Sequence, residues 1–166
     1  SNTLTEAEVQ RIAKHFVDPD YKALPDFGAE LAELDKQHPG FARWRVRNTL
    51  AHKKPGYVAV TLSLKPTGVA PGDVTDKQWD AIADMADRYS FGQLRTSHEQ
   101  NIILADVEES QLFTMWGELR ENGFATPNIG LLTDMICCPG GDFCSLANAK
   151  SIPIAESIQR RFENLD

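Results

Sequence analysis

The sequence predicts an α+β fold with the order β-α-β-β-α, an N-terminal helical lead-in and a C-terminal helical segment. Three observations carry that prediction. Residues 57–64, YVAVTLSL, are a run of β-branched and apolar residues with no breaker inside it. Two later windows, one opened by Thr75-Asp76-Lys77-Gln78 and one closed by Asn122-Gly123, repeat apolar residues at helical spacing. Between those windows lie two short strand patterns around a polar bend.

Taken in order, Thr5-Glu6-Ala7-Glu8 has the form of a capping box: the threonine hydroxyl accepts from the amide three residues on, and the glutamate reaches back. Val9, Ile12, Ala13 and Phe16 then recur at helical spacing, predicting a helix over 6–17 that Asp18-Pro19-Asp20 ends. Ser1-Asn2 has the character of an expression scar and is set aside. A second helix is expected over 27–37, with Leu31 and Leu34 on one face and His38-Pro39-Gly40 as its stop. Residues 1–50 therefore read as a helical lead-in and connector. The strand over 57–64 sits between Pro55-Gly56 and Pro66, and residues 65–72 form a Pro- and Gly-punctuated loop.

A second capping box at Thr75–Gln78 opens a helix carrying Trp79, Ile82, Ala83, Ala86 and Tyr89, which ends near Ser90-Phe91-Gly92. Strands over 93–97 and 101–106 pair around His98-Glu99-Gln100, and a helix over 109–121 follows with Leu112, Phe113, Trp116 and Leu119 inward. Trp79 and Trp116 are assigned to the core. Residues 51–125 thus give most of the β-α-β-β-α-β pattern of a ferredoxin-like half, without its last strand. The closing helix presents Ile154, Ile158, Phe162 and Leu165 as its buried face, and Ser151-Ile152-Pro153 marks its N-terminus or a kink.

Composition narrows the function. With 166 residues, 42% of them hydrophobic, the chain is long enough for one domain with a core. No apolar run approaches the roughly 20 residues that span a bilayer, so no membrane partner is expected. A net charge of -7 argues against a general nucleic-acid binder, whose affinity comes from neutralising phosphates. Three cysteines, an odd number, argue against a disulfide-stapled secreted fold and for the cytoplasm.

Three features can carry chemistry. In Cys137-Cys138-Pro139-Gly140-Gly141-Asp142-Phe143-Cys144, two thiols separated by five residues with glycines between them can converge on one metal centre. Cysteines are equally ordinary small buried residues, and both readings stand at this point. Between Asp35 and Asp73 there is no acidic residue, while Lys36, Arg43, Arg45, Arg47, Lys53, Lys54 and Lys65 all fall there. That strip suits an anionic ligand, or it is a solvated connector paired with acidic helices. Arg95 to Asn101 crowds polar donors onto a strand bend, either aimed from a rigid scaffold or simply a polar tip. The dinucleotide, Walker, zinc-protease and serine-hydrolase motifs are absent.

Together these residues resemble the sirohaem-dependent sulfite and nitrite reductases, most closely the bacterial assimilatory sulfite reductase haemoprotein (beta) type. Three stretches carry the resemblance: Asn48-Thr49 through His52-Lys53-Lys54-Pro55-Gly56-Tyr57; Leu94-Arg95-Thr96-Ser97-His98-Glu99-Gln100-Asn101-Ile102-Ile103; and Cys138 through Cys144 with Ser145-Leu146-Ala147.

The resemblance implies six-electron reduction of sulfite to sulfide, or of nitrite to ammonia, at a sirohaem coupled to a [4Fe-4S] cluster. The electron donor would be a ferredoxin or a flavoprotein reductase. It implies that Cys138 and Cys144 are cluster ligands, and that Gln100, Asn101, Lys53 and Lys65 contact the cofactor. Residues 126–166 then open an incomplete cluster- and sirohaem-binding region. The family has two ferredoxin-like halves and a second cysteine pair, so this chain is expected to be a fragment corresponding to the second half. It would hold no catalytic residue of its own, bind no stable cofactor in isolation and be inactive alone. The alternative is a non-catalytic ferredoxin-like interaction module whose cysteines are structural or bind zinc.

Overall fold

Residues 4–165 are described by a computed structural model of the protein; the Ser1-Asn2 reading lies outside them. Helix α1 (Glu6–Ala13) starts where its cap predicts, with the Thr5 hydroxyl accepting from the Glu8 amide. It stops short of residue 17 and buries nothing: Val9 and Phe16 are exposed. A helix this short gains little from propensity alone, and here it has no packed face to extend it.

Helix α2 (Gly28–Gln37) runs straight into α3 (Pro39–Asn48), which the sequence reading had as connector. The expected stop is a start. Pro39 occupies the first turn of α3, where its missing N–H is harmless and its fixed φ is already helical. Phe41 and Trp44 of α3 are fully buried, Phe41 lying 5.3 Å from Phe113 and 5.6 Å from Trp116 between ring centroids. The basic strip is therefore split between two helices, Lys36 on α2 and Arg43, Arg45 and Arg47 on α3, and the loops beyond them.

The sheet holds β1 (Thr49–Ala51), β2 (Tyr57–Leu62), β3 (Arg95–Thr96) and β4 (Ile102–Glu108), in the spatial order β1-β2-β4-β3 with every neighbour antiparallel. Helices α4 (Asp76–Tyr89) and α5 (Leu112–Glu121) complete a β2-α4-β3-β4-α5 unit. The position beside β2 that a last strand would take is filled from upstream by β1, which the sequence reading did not assign. The predicted box at Thr75 is present in both directions, with Thr75 Oγ1 accepting from the Gln78 amide and Gln78 Oε1 from the Thr75 amide.

The core joins Val58, Val60 and Leu62 to Ile102, Leu104 and Val107 and to the inner faces of α4 and α5. Register shifts opposite Ala59, since Val58 pairs with Val107 and Val60 with Leu104. The bulge lets both Leu104 and Val107 face inward despite an odd separation. Trp79 is 42% exposed, against its expected place in the core. On α4 the buried set is Ile82, Met85 and Ala86, and Trp79 falls at the edge of that stripe.

Helix α6 (Ile152–Phe162) begins at Ser151 with Pro153 in its first turn, so the Pro marks a start and not a kink. Its predicted face is corrected in part: Ile158 and Phe162 are half-buried beside the buried Ala155 and Gln159, whereas Ile154 and Leu165 are 60% and 75% exposed. No helix among the described residues is long and apolar enough to cross a membrane.

Candidate functional site

At the end of β2 the chain enters a buried polar network that ties three loops together. Lys65, just past the strand, has no exposed side-chain surface, and a buried ammonium must be paired. Its Nζ donates to Asp134 Oδ1 at 2.7 Å, to the Asp134 carbonyl at 2.9 Å and to the Glu99 carbonyl. Asp134 Oδ1 also accepts from Asn101 Nδ2 at 2.9 Å, and Oδ2 accepts from the Gly130 amide at 3.0 Å. Asn101 Oδ1 accepts from the Leu64 amide at 3.1 Å. Asn128 donates to the carbonyls of Lys65 and Thr133 and accepts from the Ser63 hydroxyl at 2.7 Å. Asp134, Asn128 and Ser63 had no sequence signal, because their roles depend on partners far along the chain.

Gln100 extends the network to the cysteines. It sits at φ +57°, a left-handed conformation uncommon for a residue with a side chain. Gly72 makes the room: a Cβ there would lie 3.1 Å from Gln100 Cβ. From that position the Gln100 amide donates to the Cys137 carbonyl at 2.8 Å and accepts from the Cys137 N–H at 2.9 Å.

Beyond Cys138 the chain turns back on itself around Gly140, with the Cys144 amide on the Gly140 carbonyl at 2.8 Å and the Gly141 amide on the Ala149 carbonyl at 2.8 Å. Gly140 has φ +61°, and a Cβ there would meet Ala149 O at 2.8 Å and Ser151 N at 2.9 Å. Only glycine fits. All three thiols are free: Cys138 is exposed, Cys144 half-buried and Cys137 buried. The Cys137 Sγ lies 3.3 Å from the Cys138 carbonyl, and burial followed by the neighbouring Cys138 pushes its thiol pKa up. An apolar recess of about 380 Å³ lies alongside, lined by Ile136, Cys138, Ile154, Ala155 and Ile158 among others.

Lys65 is turned inward, its ammonium donating to three protein oxygens. Gln100 and Asn101 likewise hold protein groups. Lys53 is exposed in the loop after β1. Within the strip, Arg45 pairs with Asp35, Lys36 with Glu33, and Lys54 lies 5.5 Å over the Tyr21 ring. Toward the other end of β4, buried Asp106 accepts from the Tyr21 hydroxyl at 2.6 Å and lies 3.3 Å from His52 Nε2. His52 Nδ1 accepts from the Lys54 amide at 2.9 Å. With both ring nitrogens engaged, this cluster fastens the lead-in to the sheet. An acidic residue inside an apolar strand was its one sequence signal.

Residues 51–122 match the family model of the nitrite/sulfite reductase ferredoxin-like half domain. The chain is 34% identical over 95 residues to the chloroplastic ferredoxin–nitrite reductase of Betula pendula, a match covering 54% of this chain and 16% of the relative. It is 31% identical over 105 residues to the Spinacia oleracea protein of the same name, covering 60% and 18%. To the ferredoxin–nitrite reductase of Synechococcus elongatus it is 28% identical over 144 residues, covering 82% and 27%. The chain thus spans well under a third of the length of these curated relatives.

An iron–sulfur cluster, which the resemblance implies, needs a set of converging thiolates. Among the described residues no group of three or more His, Cys, Asp or Glu is arranged to hold a metal ion. Cys138 and Cys144 fit as two accessible thiolate donors on a glycine turn, while Cys137, turned inward, does not. A four-iron cluster takes about four thiolates. Cys138 and Cys144 would be two of those.

Proposed function

We propose that this chain is part of a nitrite or sulfite reductase in which Cys138 and Cys144 supply two of the thiolates of a [4Fe-4S] cluster. The observation that carries the reading is the cysteine loop itself. An exposed and a half-buried thiol bracket a turn that requires glycine, and the segment leading into it is pinned to the turn between β3 and β4 by Gln100. When bound, the cluster and the sirohaem of such enzymes supply single-electron transfer to an iron-held anion. What this chain contributes is a rigid mount for two ligands.

Nitrite is the proposed substrate and ferredoxin the proposed electron donor, because the relatives this chain is similar to bear the name ferredoxin–nitrite reductase. Sulfite and a flavoprotein donor are the competing assignments, separated by assaying both anions with both donors. Free thiols fit a reducing compartment such as the cytoplasm. Two thiolates against the about four a cluster needs lead to no stable cofactor and no turnover in the isolated chain.

The test is an iron and acid-labile sulfide assay with a visible spectrum, run on the isolated chain and on a longer chain that adds a second cysteine pair. The expected result is iron near background in the first and a brown four-iron species in the second. One zinc per isolated chain, or a colourless longer chain, overturns the reading in favour of an interaction module.

A further inference from the structure

Two adjacent cysteines open the loop, and only one of them faces outward. Ile136 is 58% exposed, Cys137 is 7% exposed and Cys138 is exposed, the out-in-out alternation of an extended chain. The Met135 backbone just before them is extended, at φ -64° and ψ 142°. In an extended segment a shift of one residue exchanges the two sides. Such a slip here would bury Cys138 and present Cys137. The chemistry of the two side chains is identical, so something other than the thiols must set the register.

Gln100 is that element. Its amide makes one bond to the N–H and one to the C=O of Cys137, the pair of contacts a neighbouring strand would make to a single residue. Because an extended residue points its N–H and C=O to the same side, this pairing is satisfied by one residue and denied to the next. The Gln100 side chain reaches it from a left-handed backbone that Gly72 accommodates, and its chain neighbours are held by Lys65 at the Glu99 carbonyl and by Asp134 at Asn101. The clamp therefore has a fixed base.

We infer that Gln100 is a positioning residue that selects Cys138 over Cys137 as the outward-facing ligand, by pinning the register of the segment that carries both. The inference rests on the proposed function for the identity of the metal group, but the selection itself is a property of this chain.

The experiment labels the native chain with iodoacetamide and resolves each cysteine by peptide fragmentation, with Cys144 as internal reference. Gln100→Asn and Gln100→Gly are compared with it. Both replacements tolerate the left-handed backbone, and neither spans to Cys137. The expected result is Cys138 labelled at least about tenfold faster than Cys137 in the native chain. In both variants the Cys137-to-Cys138 ratio rises by about tenfold, while the Cys144 rate and the circular dichroism stay as in the native chain. General loosening would raise Cys144 as well, which overturns the inference, as does an unchanged ratio in both variants. Should neither variant fold, amide exchange at Cys137 in the native chain decides: protection supports the clamp and free exchange overturns it. Normal labelling in a longer chain that takes up no iron counts against the reductase reading alone.

Discussion

The Lys65–Asp134 pair offers the sharpest test of how the loops are held. Lys65→Met removes the ammonium and leaves the Asp134 carboxylate buried, 6% exposed, with only Asn101 Nδ2 and the Gly130 amide to solvate it. Breaking a buried pair on one side costs about 3–5 kcal/mol, because the surviving charge is left uncompensated. Asp134→Leu strands the ammonium among carbonyl oxygens and should cost a similar amount. The double variant removes both charges and retains apolar volume, so its loss should be no larger than about 2 kcal/mol. The coupling in the cycle is then about 4 kcal/mol or more. Urea denaturation followed by tryptophan fluorescence reads it: with a slope of about 2 kcal/mol per molar, a single variant shifts the midpoint by roughly 2 M. Single losses below about 1 kcal/mol, or a double variant equal to the sum of the singles, would refute the assignment of this pair as the network's anchor.

Gln159 is fully buried in α6 with neither amide atom hydrogen-bonded among the described residues, so Gln159→Leu should raise stability by about 1–2 kcal/mol, read as a higher denaturation midpoint; a loss would show that the amide has a partner in solution. Burial, and then hydrogen bonds to Asp106 and Glu118, push the Tyr21 and Tyr89 phenols up to about 12. With folded values above the unfolded value near 10, their stabilisation is present below pH 10 and is lost as pH climbs toward 12. Ultraviolet titration should show phenolate absorbance still rising above pH 11, and a signal complete by then would contradict the burial. Gly140→Ala drives a Cβ into two backbone atoms at positive φ and should cost about 1–3 kcal/mol locally, seen as faster exchange of the Cys144 amide; unchanged exchange would mean the turn relaxes freely.

What the sequence revealed and what it hid divide along the range of the forces involved. Local signals were read correctly. The Thr75 box, the β-branched run of β2 and the glycine stop after α5 depend on neighbours within a few residues. Pro39 was misread because the same residue breaks a helix from inside and opens one at its first turn, and only packing of Phe41 and Trp44 decides between them. Half of the inward face of α6, Ile158 and Phe162, was legible; the other half was not, because Gln159 looks polar while Ile154 and Leu165 look buried, and the contacts of α6 with the 132–134 turn overrule hydropathy. Lys65 resembled a surface cation until Asp134, 69 residues away, was placed beside it. Within the site, the loop glycines and thiols were legible as a motif. The clamp from Gln100 was not, since an amide gives no sign in sequence of which peptide group it will meet.

The strand β1 has one more effect on the route of the polypeptide. By the time the backbone leaves α5, the outermost berth of the sheet is already taken by residues 49–51. The stretch that would ordinarily come home to close a ferredoxin-like sheet is diverted instead, running past the open end of the strands. That detour brings sulfur to the protein surface, where residues 126–144 can serve as a handle rather than as another rung of the ladder.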